Sequence, residues 1–266
     1  MNAGSLTGAL TPNRIVSKRL MVGLALAQVL VVLALWSRST LDALPSPLEV
    51  LAAGRTLWLE QGLARAIAQS FAASAQAVGL TVLIGLPLAW ATVLPIFRPL
   101  VAAISKGRFL GLTGLTFVFT VGMGGGHGLK LSLLVFGMTV FFVTSMAAEI
   151  AAIPRERFEH ARTLRMGEWR VAGEVVALGT LDRAFEVLRQ NAAIGWTMLT
   201  MVEGLTRAEG GVGALLLDQN RHFHLAGVFA IQLAILSVGL VQDAALGALR
   251  RFVCPYAELS LERSRS

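Results

Sequence analysis

The chain has 266 residues, a single cysteine and only 15% charged residues. A lone thiol, Cys254, cannot close an internal disulfide, so disulfide stapling and dithiol redox chemistry find no support. A nucleotide-binding loop is also missing. Gly122 to Lys130 is glycine-rich, but Lys130 follows leucine rather than glycine and is not directly followed by Ser or Thr, so the segment reads as a flexible reversal. Any ATP hydrolysis must then belong to a partner. The first apolar run, Leu20 to Trp36, ends in Trp36-Ser37-Arg38 without the small-x-small pattern of a cleavage site, and it reads as a retained anchor.

Hydrophobic residues make up 55% of the chain and mean hydropathy is +0.67, so a bilayer is the expected solvent. The net charge of +7 lies in short clusters between apolar runs, which suits membrane orientation and not nucleic-acid binding. Windows of about 20 residues, the length that crosses ~30 Å of hydrocarbon, fall at roughly 15–36, 66–96, 109–124, 129–152, 185–206 and 225–249. The expected fold is an all-α membrane protein with about six transmembrane helices. Its permease domain covers 15–252, between tails at 1–14 and 253–266. With six spans, sixteen Lys and Arg fall on the side holding both termini against six opposite, which predicts cytoplasmic termini. Arg189 lies inside the fifth window, near enough to its end to snorkel.

Three connections are long. Residues 38–65 contain Leu44-Pro45-Ser46-Pro47 ahead of an amphipathic stretch suited to the membrane interface, and residues 207–224 form a second outer loop. The cytoplasmic loop 153–184 is the informative one. After Pro154, Glu156 to Leu164 reads as a short helix with Phe158, Ala161 and Leu164 at helical spacing, and a second amphipathic run covers Trp169 to Leu178. The pattern suits either a knob for a groove on another protein or a helical hairpin lying on lipid headgroups. No cluster of carboxylates or cysteines accompanies His222, His224 and His127, and two His at i, i+2 are poor helix-face ligands, so no metal is expected. Ser132, Ser145 and Ser237 have no histidine at membrane depth, which leaves intramembrane hydrolysis without a base.

Pro154 to Leu164, with Trp169 and Val175-Val176, resembles the EAA loop of ABC importer permeases, and more narrowly those of the nitrate, sulfonate, taurine and bicarbonate group. Four further fragments agree in order: Leu44 to Leu51; Val121 to Gly124 with Lys130; Val202-Glu203 with Gly211 and Gly213; and Asp243 with Arg250-Arg251 and Pro255-Tyr256. The resemblance implies a type I importer-like permease of the bacterial cytoplasmic membrane, not an enzyme. It forms a pathway with a second permease subunit, identical or different. Cytoplasmic ATPases hold the ATP and Mg²⁺, a periplasmic or lipid-anchored binding protein delivers substrate, and this chain binds no cofactor of its own.

By the same resemblance, Phe158, Glu159, His160, Ala161, Arg162, Leu164, Arg165 and Gly167 couple to the ATPase. Glu159 is expected to anchor the knob through hydrogen bonds, and Ala161 to allow close approach of the ATPase. The group also implies a small organic or inorganic anion as substrate. His160 stands where the family prefers alanine, Arg165 where it has glycine, and Ala177-Leu178 where it has Leu-Pro. The family's proline cluster before the third span is absent too, since no proline occurs between Pro99 and Pro154. Gly167 is expected to supply the turn that Arg165 cannot. Gln190, Asn191, Thr197, Thr200 and Glu203 of the fifth window are candidates for the pathway lining, or for hydrogen bonds between helices. The alternative function is a non-ABC transporter or membrane scaffold whose 153–184 hairpin lies on the membrane.

Overall fold

The structure, a computed structural model, describes residues 17–38, 44–206 and 210–255, and every regular element among them is helical. The expected tail at 1–14, residues 256–266 of the C-terminal tail, residues 39–43 of the first outer segment and 207–209 of the second lie outside the described residues. In chain order the α-helices are α1 (Lys18–Ser37), α2 (Pro47–Leu59), α3 (Leu63–Trp90), α4 (Arg98–Lys106), α5 (Leu112–Met123), α6 (His127–Ala151), α7 (Arg155–Thr163), α8 (Glu168–Val171), α9 (Leu181–Thr206), α10 (Val212–Arg221) and α11 (Leu225–Val253).

Local chemistry sets several of these boundaries. The Ser46 hydroxyl accepts the Glu49 N–H at 3.3 Å, the Glu49 carboxylate accepts the Ser46 N–H at 3.0 Å, and Pro47 opens the helix, so α2 begins in a full capping box. It buries Val50 and Leu57, sets Gly54 against Ala230 of α11, and turns Leu48 and Leu51 outward as an interfacial helix should. Helix α3 places Ala66, Ser70, Ala73, Ser74, Ala77, Thr81 and Gly85 on its buried side. Small residues let helix backbones approach closely where lipid supplies no hydrophobic drive. At Gly85 the approach is tight: a Cβ there would lie 2.8 Å from the Phe142 ring of α6.

Helices α1, α3, α6 and α11 are long and apolar enough to cross a membrane. The third window is not one straight span. Pro95–Phe109 and Leu112–Met123 meet at a 114° bend, and α5 alone, at 12 residues, reaches about 18 Å. The pair nonetheless runs from one end of α6 to the other. Thr92 and Arg98 share a cavity with Ala147 and Ile150, Gly107 sits beside Val140, Leu112 beside Gly137, and the Met123 carbonyl beside Gly128. It is one broken crossing.

The fifth window begins earlier than the sequence pattern indicates, because Leu181 to Ala184 belong to α9 and not to the preceding loop. Charged residues keep α9 from reading as an apolar span, yet it runs antiparallel to α6 along its whole length. Arg183 meets Glu149 at 2.6 Å, the Asn191 amide donates to the Met138 carbonyl at 2.9 Å, Gly195 packs on Met138, and Glu203 meets Lys130 at 3.4 Å. A helix in register with a membrane-crossing neighbour over 26 residues crosses the same layer. Arg183 is solvent-exposed and so is Leu205 near the other end of α9. In a Cys254→Ser background, cysteines at these two positions should react with a membrane-impermeant maleimide from opposite sides of sealed vesicles. Labelling of both from one side would refute the crossing.

Candidate coupling loop and pathway

The connection between α6 and α9 is a compact knob. Pro154 opens α7, and α7 closes in a six-residue turn in which the Met166 N–H reaches the Ala161 carbonyl at 3.4 Å and the Arg165 N–H reaches the Arg162 carbonyl at 2.8 Å. The residue carrying the left-handed conformation is Arg165 itself, at φ 57°, whereas Gly167 is extended at φ −67° and ψ 154°. The expectation that Gly167 takes over the turn is therefore corrected. The pair of backbone hydrogen bonds fixes the left-handed site one residue past Leu164, whatever side chain occupies it, at a cost of about 1–2 kcal/mol for a non-glycine residue.

After the turn, α8 continues into a π-helical segment, Ala172–Leu178, so Ala177-Leu178 carry an unbroken helical backbone. Gly179 follows, with the Val175 carbonyl where its Cβ would be. The knob is tied to the bundle by buried Val171 and Val176, and by Thr180, whose hydroxyl donates to the Val176 carbonyl at 2.7 Å and accepts the Trp90 indole N–H at 3.3 Å.

Its two arms are held together by Arg162, which donates to both carboxylate oxygens of Glu168 at 3.0 and 3.1 Å. The hydrogen bond to Arg162, then its charge, holds Glu168 below its ordinary value of 4.5. A lowered carboxylate pKa stabilises above the ordinary value, so this tie is intact at neutral pH and is lost only as acid carries the pH down through the lowered value. Glu159 is exposed and adds only charge attraction to Arg162, so the anchoring hydrogen bonds expected of it are made by Arg162 and Glu168. Ala161 faces the interior of the knob, 5% exposed, and not its outer surface. Phe158 is half-buried, and His160, Arg162, Leu164, Arg165 and Gly167 are exposed. Trp169, Leu164 and Leu178 present apolar area to the outside, at 78%, 58% and 56% exposure.

At the opposite end of the bundle, Glu203 of α9 is completely buried. Its carboxylate accepts the Ser70 hydroxyl of α3 at 2.8 Å and the Gly213 N–H of α10 at 2.9 Å, and pairs with Lys130 of α6 at 3.4 Å. Ser70 in turn accepts the Val212 N–H at 2.9 Å. The carboxylate thus caps the N-terminus of α10, where negative charge is favoured. Gly211, at φ 104°, leaves no room for a side chain: a Cβ would lie 2.3 Å from the Glu203 carboxyl carbon. Lys130 is 3% exposed and belongs to the first turn of α6, so the flexible reversal expected over Gly122 to Lys130 ends at Gly126.

The five candidate lining residues divide between two directions. Gln190 and Thr197 are exposed and Thr200 is half-buried, whereas Asn191 and Glu203 point into the bundle and hold helices together. Beside the exposed set, Trp196 and Ser74 both donate to the Gln242 amide oxygen, at 2.9 and 3.0 Å, joining α9, α3 and α11. Arg189 does not snorkel: it makes a two-pronged pair with Asp243 at 2.8 and 2.6 Å. Sequence reading missed Ser70, Gln242 and these pairings. Each is a polar residue within an apolar stretch, which is the signal that points to a partner inside the protein. His127 lies 3.0 Å from Gln76, while His222 stacks on His224 at 5.9 Å, and no three His, Cys, Asp or Glu come together as a metal group among the described residues.

No family profile matches the chain, and no curated protein does. A solved structure does. A chain of the MetNI methionine ABC transporter, in inward-facing conformations, shares the fold at a TM-score of 0.56 and 17% identity, covering 75% of this chain and 98% of that one. The all-α membrane fold therefore has a counterpart in an ABC transporter.

Removing one partner of a buried ion pair strands the other, so Glu203→Gln should lower stability by about 3–5 kcal/mol. Lys130→Met combined with Glu203→Met should lose less than the two single changes summed, by at least about 1 kcal/mol. Denaturant titration in detergent micelles measures both, and strict additivity would show that the pair is not coupled.

Proposed function

We propose that the chain is the transmembrane permease subunit of an ATP-driven ABC importer. The observation that carries this reading is the knob between α6 and α9 on a fold that an ABC transporter shares. A loop that has to receive a push must be stiff, and this one is closed by its turn, by the Arg162–Glu168 pair and by the Thr180 anchor. It also offers an apolar contact in Trp169 and Leu164, the kind of surface that docks in a groove. In this reading the knob lies in the cytoplasm and seats on an ATPase that binds ATP and Mg²⁺. The half-polar face of Gln190, Thr197 and Thr200 borders a pathway shared with a second permease subunit, and a binding protein meets the end built around Glu203.

The substrate is a small solute. The cations at membrane depth, Lys130 and Arg189, are engaged by carboxylates of the same chain, so selecting the small anion that the resemblance implies falls to the binding protein.

Extraction in mild detergent should bring down a cytoplasmic ATPase with the chain. Trp169→Ala should weaken that association by about 30-fold, as for an aromatic contact worth about 2 kcal/mol. Ala161→Asp buries a charge inside the knob, and should abolish stimulated ATP hydrolysis while the protein stays in the membrane. Failure to recover any ATPase from intact complexes would defeat the importer reading and favour a hairpin lying on lipid. Unchanged hydrolysis in both variants would show that the knob is not the coupling element.

A further inference from the structure

The first three turns of α9 are linked to the last turns of α11 by a ladder of charges. Arg250 donates to Asp182 at 2.6 Å and to Glu186 at 3.1 Å, Glu186 also accepts from Arg189 at 3.3 Å, and Arg189 closes on Asp243 with two hydrogen bonds. Asp182, Glu186 and Arg189 recur at four- and three-residue steps, so they occupy one face of α9. Arg250 and Asp243 are two turns apart on α11. The lowest rung, Asp182, is two residues beyond Thr180, where the knob is fixed to the bundle.

We propose that this ladder makes α9 and α11 move as one body, so that displacement of the knob is carried to α11. Asp182 and Arg250 are the positioning residues nearest the knob. The proposal rests on the importer reading. The physical basis is the cost of separation. Each pair is partly exposed and holds little by itself, but sliding one helix along the other would break all of the linked pairs at once, whereas moving both helices together leaves every rung intact. A groove lined by Ala193, Gly239 and Leu240 opens along part of the two helices, with Trp196 packed against Gly239 beside it, and the ladder continues the contact beyond that groove.

The test uses the intact complex of permease, ATPase and binding protein in nanodiscs, with Cys254→Ser throughout, and reads ATP hydrolysis with and without binding protein. Replacing the rung by Asp182→Cys with Arg250→Cys should reduce stimulation by about fivefold, the low end of coupling between linked sites. Joining the two cysteines with a short bismaleimide should restore most of it, since a covalent tie does the work of the ion pair. Arg250→Lys should keep more stimulation than Arg250→Met. Full stimulation in the unbridged double variant overturns the proposal, as does a bridged complex that assembles but stays unstimulated. If the unaltered complex contains no ATPase, the importer reading fails first and this proposal falls with it.

Discussion

A carboxylate with no access to water is tolerated only where its partners are fixed, and Glu203 imposes that condition on four helices at once. Lys130 supplies the opposite charge, Ser70 a hydroxyl, and the start of α10 a backbone N–H. Each partner comes from a different element, so α3, α6, α9 and α10 cannot be shifted independently without stranding a charge. The register of α9 on α6 follows. With Glu203 beside Lys130, the helical rise brings Gly195 and Asn191 to Met138 and Arg183 to Glu149. The glycines at 211 and 213 belong to the same constraint, since the chain has to pass against the carboxylate with no side chain between.

The two ends of the bundle are held differently. At the Glu203 end the ion pair is buried, and breaking it costs several kcal/mol. At the knob end the charges of α9, α11 and α6 are partly exposed: Arg189 at 28%, Asp243 at 43%, Arg183 at 62%. The single exposed pair between Arg183 and Glu149 is weakened by water and salt and can exchange partners at small cost, whereas the linked charges of α9 and α11 part only together. The fold therefore joins a stiff end to a more adaptable one, and the broken α4–α5 crossing lies along α6 between them.

Two turns show how backbone hydrogen bonding overrides residue preference. Arg165 and Phe223 both take the left-handed conformation, at φ 57° and 56°, one residue past the cap of α7 and of α10. In each case the next N–H closes back on the final helical turn, Met166 on Ala161 and His224 on Gln219. Glycine would relieve the strain at either site. The nearest glycine after α7, Gly167, has ordinary extended backbone instead.

The sequence by itself determined the class, the membrane-crossing windows and the place of the knob. These depend on local quantities: the run length of apolar residues, a proline that ends a helix, and the spacing of Phe158, Ala161 and Leu164. It also marked α9 as the polar span. The bend between α4 and α5, the direction of each polar side chain and the identity of its partner were settled by tertiary structure. Asn191 and Gln190 are neighbours in the chain, yet one binds the Met138 carbonyl and the other faces outward, because only the packing of α9 on α6 distinguishes their directions. Lys130 lies in the first turn of α6, and its partner Glu203 is 73 residues away. Charge pairing across that separation has no local signature, since it is created when the helices meet.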